Sequence, residues 1–141
     1  ETIGHQISEI FLAHSSMSPR EAIDRTQEML KEMSLPRQVF NHYPFQLSGG
    51  MAQRAMIAMA TAWNPKILIA DEPTASLDVT IQAQILALLQ NIKTEYKMSI
   101  LLISHDLGVI AQECDYILIM YFMLKLNLFN ISNFTYYNLQ C

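Results

Sequence analysis

Ile67-Leu68-Ile69-Ala70-Asp71-Glu72-Pro73 is the stretch that decides the fold. Its four apolar residues are typical of a buried parallel strand, and two acids follow where the strand ends. A second apolar run, Ser99–Ile103, is followed by polar residues that include His105. Because ligands of parallel sheets gather at the carboxyl ends of strands, we expect Asp71, Glu72 and His105 to share one edge.

Helical patterns precede and separate these strands. Apolar spacing, helix-capping residues and prolines predict helices at about 3–14, 19–34, 50–63, 79–96 and 107–113, and a third strand at 115–120. The order, helices first and then strand–helix–strand–helix–strand, is typical of a helical subdomain followed by parallel strand–helix units. The sequence therefore predicts an α/β fold.

The acidic pair at the end of the first strand suits metal and proton chemistry. Mg²⁺ prefers hard oxygen ligands, and Asp71 supplies one at a strand end. The adjacent Glu72 is placed to accept a proton from an attacking water. Taken alone, an acidic turn at Asp71-Glu72-Pro73 that merely redirects the chain explains these residues equally well.

A glycine pair upstream provides a second candidate site. Ser48, Gly49 and Gly50 open a predicted helix without bulky side chains, which suits the binding of phosphate by free backbone N–H groups. In isolation, Ser48 is better explained as an ordinary N-cap. Asp78, seven residues after Asp71, is the remaining candidate of this part of the chain.

Taken together, these segments resemble the ATP-binding cassette (ABC) family. Leu47–Gly50 resembles the signature motif of that family, and Ile67–Glu72 resembles its Walker B strand. Ser76–Asp78 resembles its D-loop, and His105 resembles its switch histidine. The resemblance covers about residues 1–121, and it implies a partial P-loop NTPase (ABC ATPase) fold with ATP and Mg²⁺ as cofactors.

The resemblance also implies roles at the strand ends and at the glycine pair. Asp71 would hold Mg²⁺, Glu72 would be the general base, and His105 would contact the γ-phosphate and the attacking water. The signature residues would reach the γ-phosphate of ATP bound on a second ABC ATPase subunit, and the D-loop would lie in the same dimer interface; these residues are Ser48, Gly49, Gly50 and Asp78.

The stretch Asp71–Leu89 is similar to the subgroup that powers oligopeptide, dipeptide and nickel importers. This resemblance implies a subunit at the cytoplasmic face of the cell membrane, with membrane-spanning permease subunits as partners. A net charge of −4 and no evident basic patch argue against nucleic acid as a partner. Two unclustered cysteines indicate neither a disulfide framework nor a zinc site.

Two alternatives remain open for the function. The chain could be a fragment of a non-transport ABC ATPase, although no sustained heptad run of the chromosome-maintenance type is present. It could also be a non-enzymatic remnant or docking module in which residues 1–63 bind a membrane subunit. We expect a helical subdomain at 1–63 and the C-terminal part of an ATPase core at 64–121.

The sequence departs from the family at the phosphate loop. No Gly-x-x-x-x-Gly-Lys-Ser/Thr occurs, and the chain has only 4 glycines. That loop supplies most of the β- and γ-phosphate contacts, so we expect this chain alone to bind ATP weakly and to hydrolyse none. Since the strand that carries the loop is central in the sheet, its neighbours should expose apolar faces. The start at Glu1 indicates a chain entered partway through.

The last segment, 122–141, departs from the family as well. Its composition shifts to Phe, Leu, Asn, Ile and Tyr, which suggests an aberrant tail translated in a wrong reading frame. A membrane anchor over Tyr116–Ile131 is the rival interpretation. Polar residues interrupt that stretch at Lys125, Asn127 and Asn130, and the apolar run is too short to span a bilayer.

Overall fold

A computed structural model of the 141-residue chain describes residues 1–121 and 124–130, with side chains over 1–120. The helices and strands, in chain order, are α1 Ile3–His14, α2 Pro19–Glu32, 3₁₀ turns Arg37–Asn41 and Pro44–Gln46, α3 Gly49–Thr61, β1 Ile67–Asp71, α4 Val79–Glu95, β2 Ser99–Ile103, α5 Leu107–Glu113, β3 Tyr116–Tyr121 and β4 Leu124–Asn130. The predicted helices are confirmed, with ends within about two residues. Of the predicted tail at 122–141, everything except 124–130 lies outside the described residues.

The helices begin where side chains can cap them. The Ser18 hydroxyl accepts from the backbone N–H of Glu21, and the Glu21 carboxylate accepts from the backbone N–H of Ser18 at 2.7 Å. This is the predicted capping box, which satisfies donors that the first helical turn leaves free. Asp78 is the N-cap of α4 and Asp106 is the N-cap of α5, and each side chain accepts from backbone N–H groups of the first turn. Local sequence therefore sets the helix starts.

One buried apolar cluster joins the first three helices to α4. Ile7 of α1, Leu30 of α2, Ala58 of α3 and Ile85 of α4 all belong to it, and each is 0% exposed. Because such side chains gain stability only by leaving water together, the helices pack as one unit with α4. The cluster crosses the predicted boundary at residue 63, and the division into two subdomains stays a prediction.

Strands β1 and β2 form the predicted parallel pair, with Ile69 opposite Leu101 in the register. The burial typical of such apolar strands is met on one face only. Leu68 is buried, but Ile69 on the other face is 63% exposed and Leu101 is 52% exposed. The physical reason is that helices cover one face of the sheet. Exposed apolar strand faces agree with the expectation for neighbours of a phosphate-loop strand.

The third strand was predicted to belong to the parallel layer, and this prediction is wrong. β3 pairs antiparallel with β4, with Tyr116 opposite Asn130, in a separate two-stranded sheet. Strands that follow each other closely pair most readily as a hairpin, whereas a parallel pair needs a long crossover. A membrane anchor was the rival interpretation of Tyr116–Ile131. The described residues of that stretch form the two strands β3 and β4. Among the residues that the structure describes, none of the helices has the length and hydrophobicity that a membrane span requires.

Candidate functional site

Glu72 and His105 meet where β1 and β2 end. His105 Nδ1 lies 2.7 Å from Glu72 Oε1, and the backbone N–H of His105 donates to the same oxygen at 3.0 Å. The backbone N–H of Glu72 in turn donates to the carbonyl of Ile103 at 2.9 Å. Parallel pairing of the two strands brings residues 33 positions apart into contact. The structure thus joins two of the three residues expected at this edge.

The backbone of Glu72 adopts a left-handed conformation with φ of 45°. For a non-glycine residue this conformation costs about 1–2 kcal/mol, because the Cβ crowds the following carbonyl. Strained backbone of this kind clusters at functional sites, where surrounding contacts hold it in place. Here the bonds to Ile103 and His105 supply those contacts. The conformation turns the chain sharply just after the first strand.

The Glu72 carboxylate changes the acid–base behaviour of His105. Its hydrogen bond and negative charge raise the pKa of the His105 imidazole above the ordinary value of 6.5. The imidazole is exposed, with a side-chain exposure of 86% against 36% for Glu72. The pair therefore presents the imidazole to solvent while one carboxylate oxygen stays bound to it.

Asp71 ends β1 beside this pair and is exposed. Mg²⁺ in phosphate-binding enzymes usually takes one or two carboxylates, with phosphate oxygens and water completing its shell. An exposed carboxylate at a strand end fits that single-ligand role. Within residues 1–120, three potential metal ligands converge only at the exposed side chains of Glu1, His5 and Glu9, at the start of the chain. Asp71 is thus not part of a preformed three-residue metal site there.

Ser48 caps the helix that the glycine pair opens. Its hydroxyl accepts from the backbone N–H of Met51 at 3.4 Å, and Ser48 and Gly49 are exposed. The N–H groups of the first helical turn have no partner within the helix and carry partial positive charge. The ordinary N-cap is therefore confirmed, and it leaves the backbone of the glycine pair open to an anion.

The glycine pair and the segment Ser76–Asp78 line one groove of about 600 Å³. Its lining includes Ser48, Gly49 and Gly50 together with Ser76, Leu77 and Asp78. Asp78 Oδ1 accepts from the backbone N–H of Ile81 at 3.0 Å and so caps α4. Four of the predicted site residues thus gather at one groove.

A short looped segment connects the strand-end pair to this groove. The backbone N–H of Ala75 donates to the carbonyl of Glu72 at 3.1 Å, and that of Leu77 donates to Thr74 at 3.3 Å. Ser76 between them has a left-handed φ of 63°. These turns carry the chain from Glu72 to Asp78 within seven residues, so the two groups of site residues are tied by one compact loop.

Arg54 and Gln84 belong to the groove but were given no role from the sequence. The Arg54 guanidinium donates from Nη2 to Gln84 Oε1 and from Nη1 to the carbonyl of Met33, both at 3.1 Å. Gln84 follows Arg54 by 30 positions, so no local pattern connects them. The only sequence signal was an arginine one helical turn after Gly50.

Comparisons with known proteins identify the family of the chain. The sequence model of the family described as ABC transporter matches residues 2–75. The oligopeptide transport ATP-binding protein AppD of Bacillus subtilis is 50% identical over 122 residues, which is 85% of this chain and 37% of AppD. OppD of Salmonella typhimurium is 49% identical over 121 residues, or 84% of this chain and 36% of OppD. The chain thus spans little more than a third of these relatives.

Solved structures match at the level of the fold and the sequence. The ATP-binding cassette MJ0796, in a dimeric post-hydrolysis state bound to ADP and Pi, aligns with a TM-score of 0.79 and 32% identity. That alignment covers 94% of this chain and 58% of MJ0796. CbiO1 from Clostridium perfringens aligns with a TM-score of 0.79 and 25% identity, over 93% of this chain and 51% of cbiO1. The chain, a partial P-loop NTPase fold, belongs to the ABC transporter family.

Proposed function

We propose that this chain is part of the ATP-hydrolysing subunit of an ABC importer for peptides or similar small solutes. The observation that carries the proposal is the 2.7 Å contact between Glu72 and His105 at the ends of two parallel strands, with Asp71 adjacent. The chain would contribute the catalytic acid–base pair and a signature motif. The phosphate loop, which does not occur in these 141 residues, would have to come from elsewhere.

The contacts of Glu72 suggest how the pair would act. One carboxylate oxygen, Oε1, already accepts from the backbone and the imidazole of His105. Oε2 is then the oxygen left to accept a proton from a water attacking the γ-phosphate. With its Nδ1–H held by Glu72, the His105 ring would donate from Nε2 to the phosphate in its protonated form, which the raised pKa favours. Asp71 would hold Mg²⁺, which would neutralise charge on the β- and γ-phosphates.

The glycine pair would serve a second nucleotide. Ser48, Gly49 and Gly50 would offer backbone and hydroxyl donors to the γ-phosphate of ATP held by another ABC ATPase subunit, as suits an exposed helix N-terminus. Asp78, which lines the same groove, would lie in that dimer interface. ATP would then join two subunits, and hydrolysis would release them by shifting a two-state equilibrium.

The nature of the transported solute rests on the relatives. Their names describe oligopeptide transport and peptide import, which supports a transport ATPase over a non-transport one. A transport role would place the chain at the cytoplasmic face of the cell membrane, against separate permease subunits. The acidic balance of the chain, with a net charge of −4, supports protein partners rather than nucleic acid.

Two measurements on the purified chain test this proposal. By itself the chain should neither bind ATP tightly nor release phosphate, because the phosphate loop provides most of the binding. Mixed with an ABC subunit that contains a phosphate loop but carries glutamine in place of its general base, the chain should associate only when ATP and Mg²⁺ are present. Ser48→Arg, which fills the exposed helix end, should prevent that association.

Two outcomes would contradict the proposed function. Turnover by the isolated chain that Glu72→Gln abolishes would show that another group replaces the phosphate loop. Failure of the wild-type chain to associate with the ATP-loaded subunit would contradict the proposed role of the signature motif. Glu1→Gln, which changes an exposed acid just before α1, serves as the matched control and should change neither result.

A further inference from the structure

The turn Ser48–Gly50 of the signature motif, called here the signature turn, packs closely against the start of α4. The contact is closer than a phosphate-binding role of the glycines requires. A Cβ atom built on Gly50 would lie 2.7 Å from Ile81 Cγ2, and one on Gly49 would lie 3.2 Å from Leu77 Cδ2. Non-bonded carbons normally approach to about 3.5–4.0 Å. Packing against Ile81 of α4 therefore favours glycine at position 50, in addition to any need for free backbone N–H groups, whereas a side chain at position 49 would require Leu77 to shift by a few tenths of an ångström.

A hydrogen bond joins α3 and α4 about one turn further along both helices. Arg54 follows Gly50 by four residues on α3, and Gln84 follows Ile81 by three on α4, so each pair lies on one helix face. The Arg54 guanidinium bonds Gln84 and also the carbonyl of Met33 at the end of α2. The two helices are thus joined at two successive levels, one apolar and one hydrogen-bonded.

Ile81 links this contact to the D-loop through its own backbone. Its N–H donates to Asp78 Oδ1 at 3.0 Å, while its side chain meets Gly50. A displacement of the signature turn therefore reaches Asp78 through a single residue. Packed side chains of this kind transmit strain because protein interiors have low compressibility.

We propose that Ile81 and Arg54 are positioning residues that make the signature turn and the D-loop of one subunit move as a single body. Nucleotide contact at the glycine pair would then set the position of Asp78, and contact at the D-loop would set the position of Ser48. This inference deepens the proposed function and rests on it for its consequence, but the coupling itself concerns contacts within this chain.

Amide hydrogen exchange in the isolated chain tests the coupling without nucleotide. In Gly50→Ala, the N–H groups of Ile81 and Gln82 should exchange about tenfold faster, because overpacking forces the facing turn away. In the double variant Gly50→Ala with Ile81→Ala, the nearest remaining atom is the Cβ of residue 81, at 4.0 Å. Exchange should then return to the rates of Ile81→Ala alone.

Two comparisons distinguish packing strain from other effects of Gly50→Ala. Alanine is a better helix former than glycine, so helix propensity alone predicts slower exchange in Gly50→Ala, the opposite direction. Ile92→Ala, an equal truncation of a residue 2% exposed on the same helix, should not rescue Gly50→Ala. Unchanged exchange in Gly50→Ala, or rescue by Ile92→Ala, would overturn the inference.

Arg54→Met provides an independent measurement if Gly50→Ala does not fold. It keeps the apolar stem and removes both hydrogen bonds. Exchange at Ile81 and Gln82 should rise several-fold, while exchange within α1 should stay unchanged. Equal acceleration in both places would mean a general loss of stability and would count against positioning.

ATP-dependent association with the phosphate-loop subunit then separates this inference from the proposed function. If the wild-type chain does not associate, the proposed function fails, and the exchange experiment alone decides the coupling. If it associates, Ile81→Ala should weaken association about tenfold, as a lost packing contact implies, whereas Ile92→Ala should not at matched folded fraction. Equal weakening by both variants would refute a positioning role for Ile81.

Discussion

Glu72 shows how much one residue contributes at the strand ends. Its left-handed backbone, with φ of 45°, turns the chain, and its Oε1 accepts two hydrogen bonds from His105. A glutamine in the same place would keep the shape but lose the negative charge. The raised pKa of His105 is therefore the measurable sign of this residue's electrostatic role.

Replacing Glu72 by glutamine should lower the pKa of the His105 imidazole toward 6.5, because the charged hydrogen-bond partner is gone. In the wild type, the folded pKa lies above the unfolded one. The pair is therefore fully stabilising below pH 6.5, and that contribution disappears as pH rises through the raised value. An NMR titration of His105 in the wild type and in Glu72→Gln measures the shift. An unchanged His105 titration in Glu72→Gln would contradict the assigned cause.

At the scale of elements, a polar cluster ties the end of α4 to α2. The Tyr96 hydroxyl, just after α4, donates to Glu32 Oε2 at 2.5 Å, and Arg25 Nη1 lies 2.8 Å from Glu32 Oε1. Arg25 also reaches Glu28 at 3.2 Å. The exposed ion pairs add little on their own. The tyrosine matters more, because it connects elements that are 64 positions apart in the chain.

Stability should therefore fall at alkaline pH through Tyr96. Partial burial, and then the hydrogen bond to the Glu32 carboxylate, raise the pKa of Tyr96 from 10.0 to about 12. Between these values the unfolded chain loses the phenolic proton and the folded chain keeps it, so unfolding is favoured as pH rises above 10. Denaturant unfolding below and above pH 10 should show this loss, and Tyr96→Phe should reduce it.

The control for this prediction is Tyr116→Phe, which removes a hydroxyl from a side chain that is 61% exposed. That variant should keep the full alkaline loss of stability. Glu32→Gln should lower the pKa of Tyr96, seen in the ultraviolet absorbance of tyrosinate. A pH dependence that is the same in wild type and Tyr96→Phe would exclude Tyr96 as its source.

At the scale of the whole molecule, the parallel sheet of β1 and β2 has one face covered by helices and one face exposed to solvent. Ile67, Ile69, Leu101 and Ile103 are 64%, 63%, 52% and 45% exposed. Contiguous exposed apolar surface on a soluble protein marks either an interaction site or an aggregation liability. The same strands bury Leu68 on the helical side, at 7% exposure.

The isolated chain should accordingly self-associate as its concentration rises. Replacing the register partners Ile69 and Leu101 by threonine should reduce this, because threonine keeps strand propensity while removing apolar surface. The unfolding free energy should change little. Sedimentation velocity across a concentration series measures the effect.

The matched control carries the same substitution on the covered face. Leu68→Thr should lower the unfolding free energy by about 2 kcal/mol or more, because it removes buried apolar atoms and buries a hydroxyl. It should not improve solubility. Equal association of the wild type and the double threonine variant would mean that another surface is responsible.

The sequence by itself determined the helices, the first three strands and the grouping of the strand-end residues. Helix starts at Ser18 and Asp78 were predictable because capping depends on residues three positions away. The meeting of Glu72 with His105 followed from the rule that parallel strands end at one edge. Only the tertiary structure decided the open face at Ile69, the antiparallel pairing of β3 with β4, and the packing of Ile81 on Gly50. Burial and close packing depend on atoms tens of residues apart, and no local pattern records which of them meet.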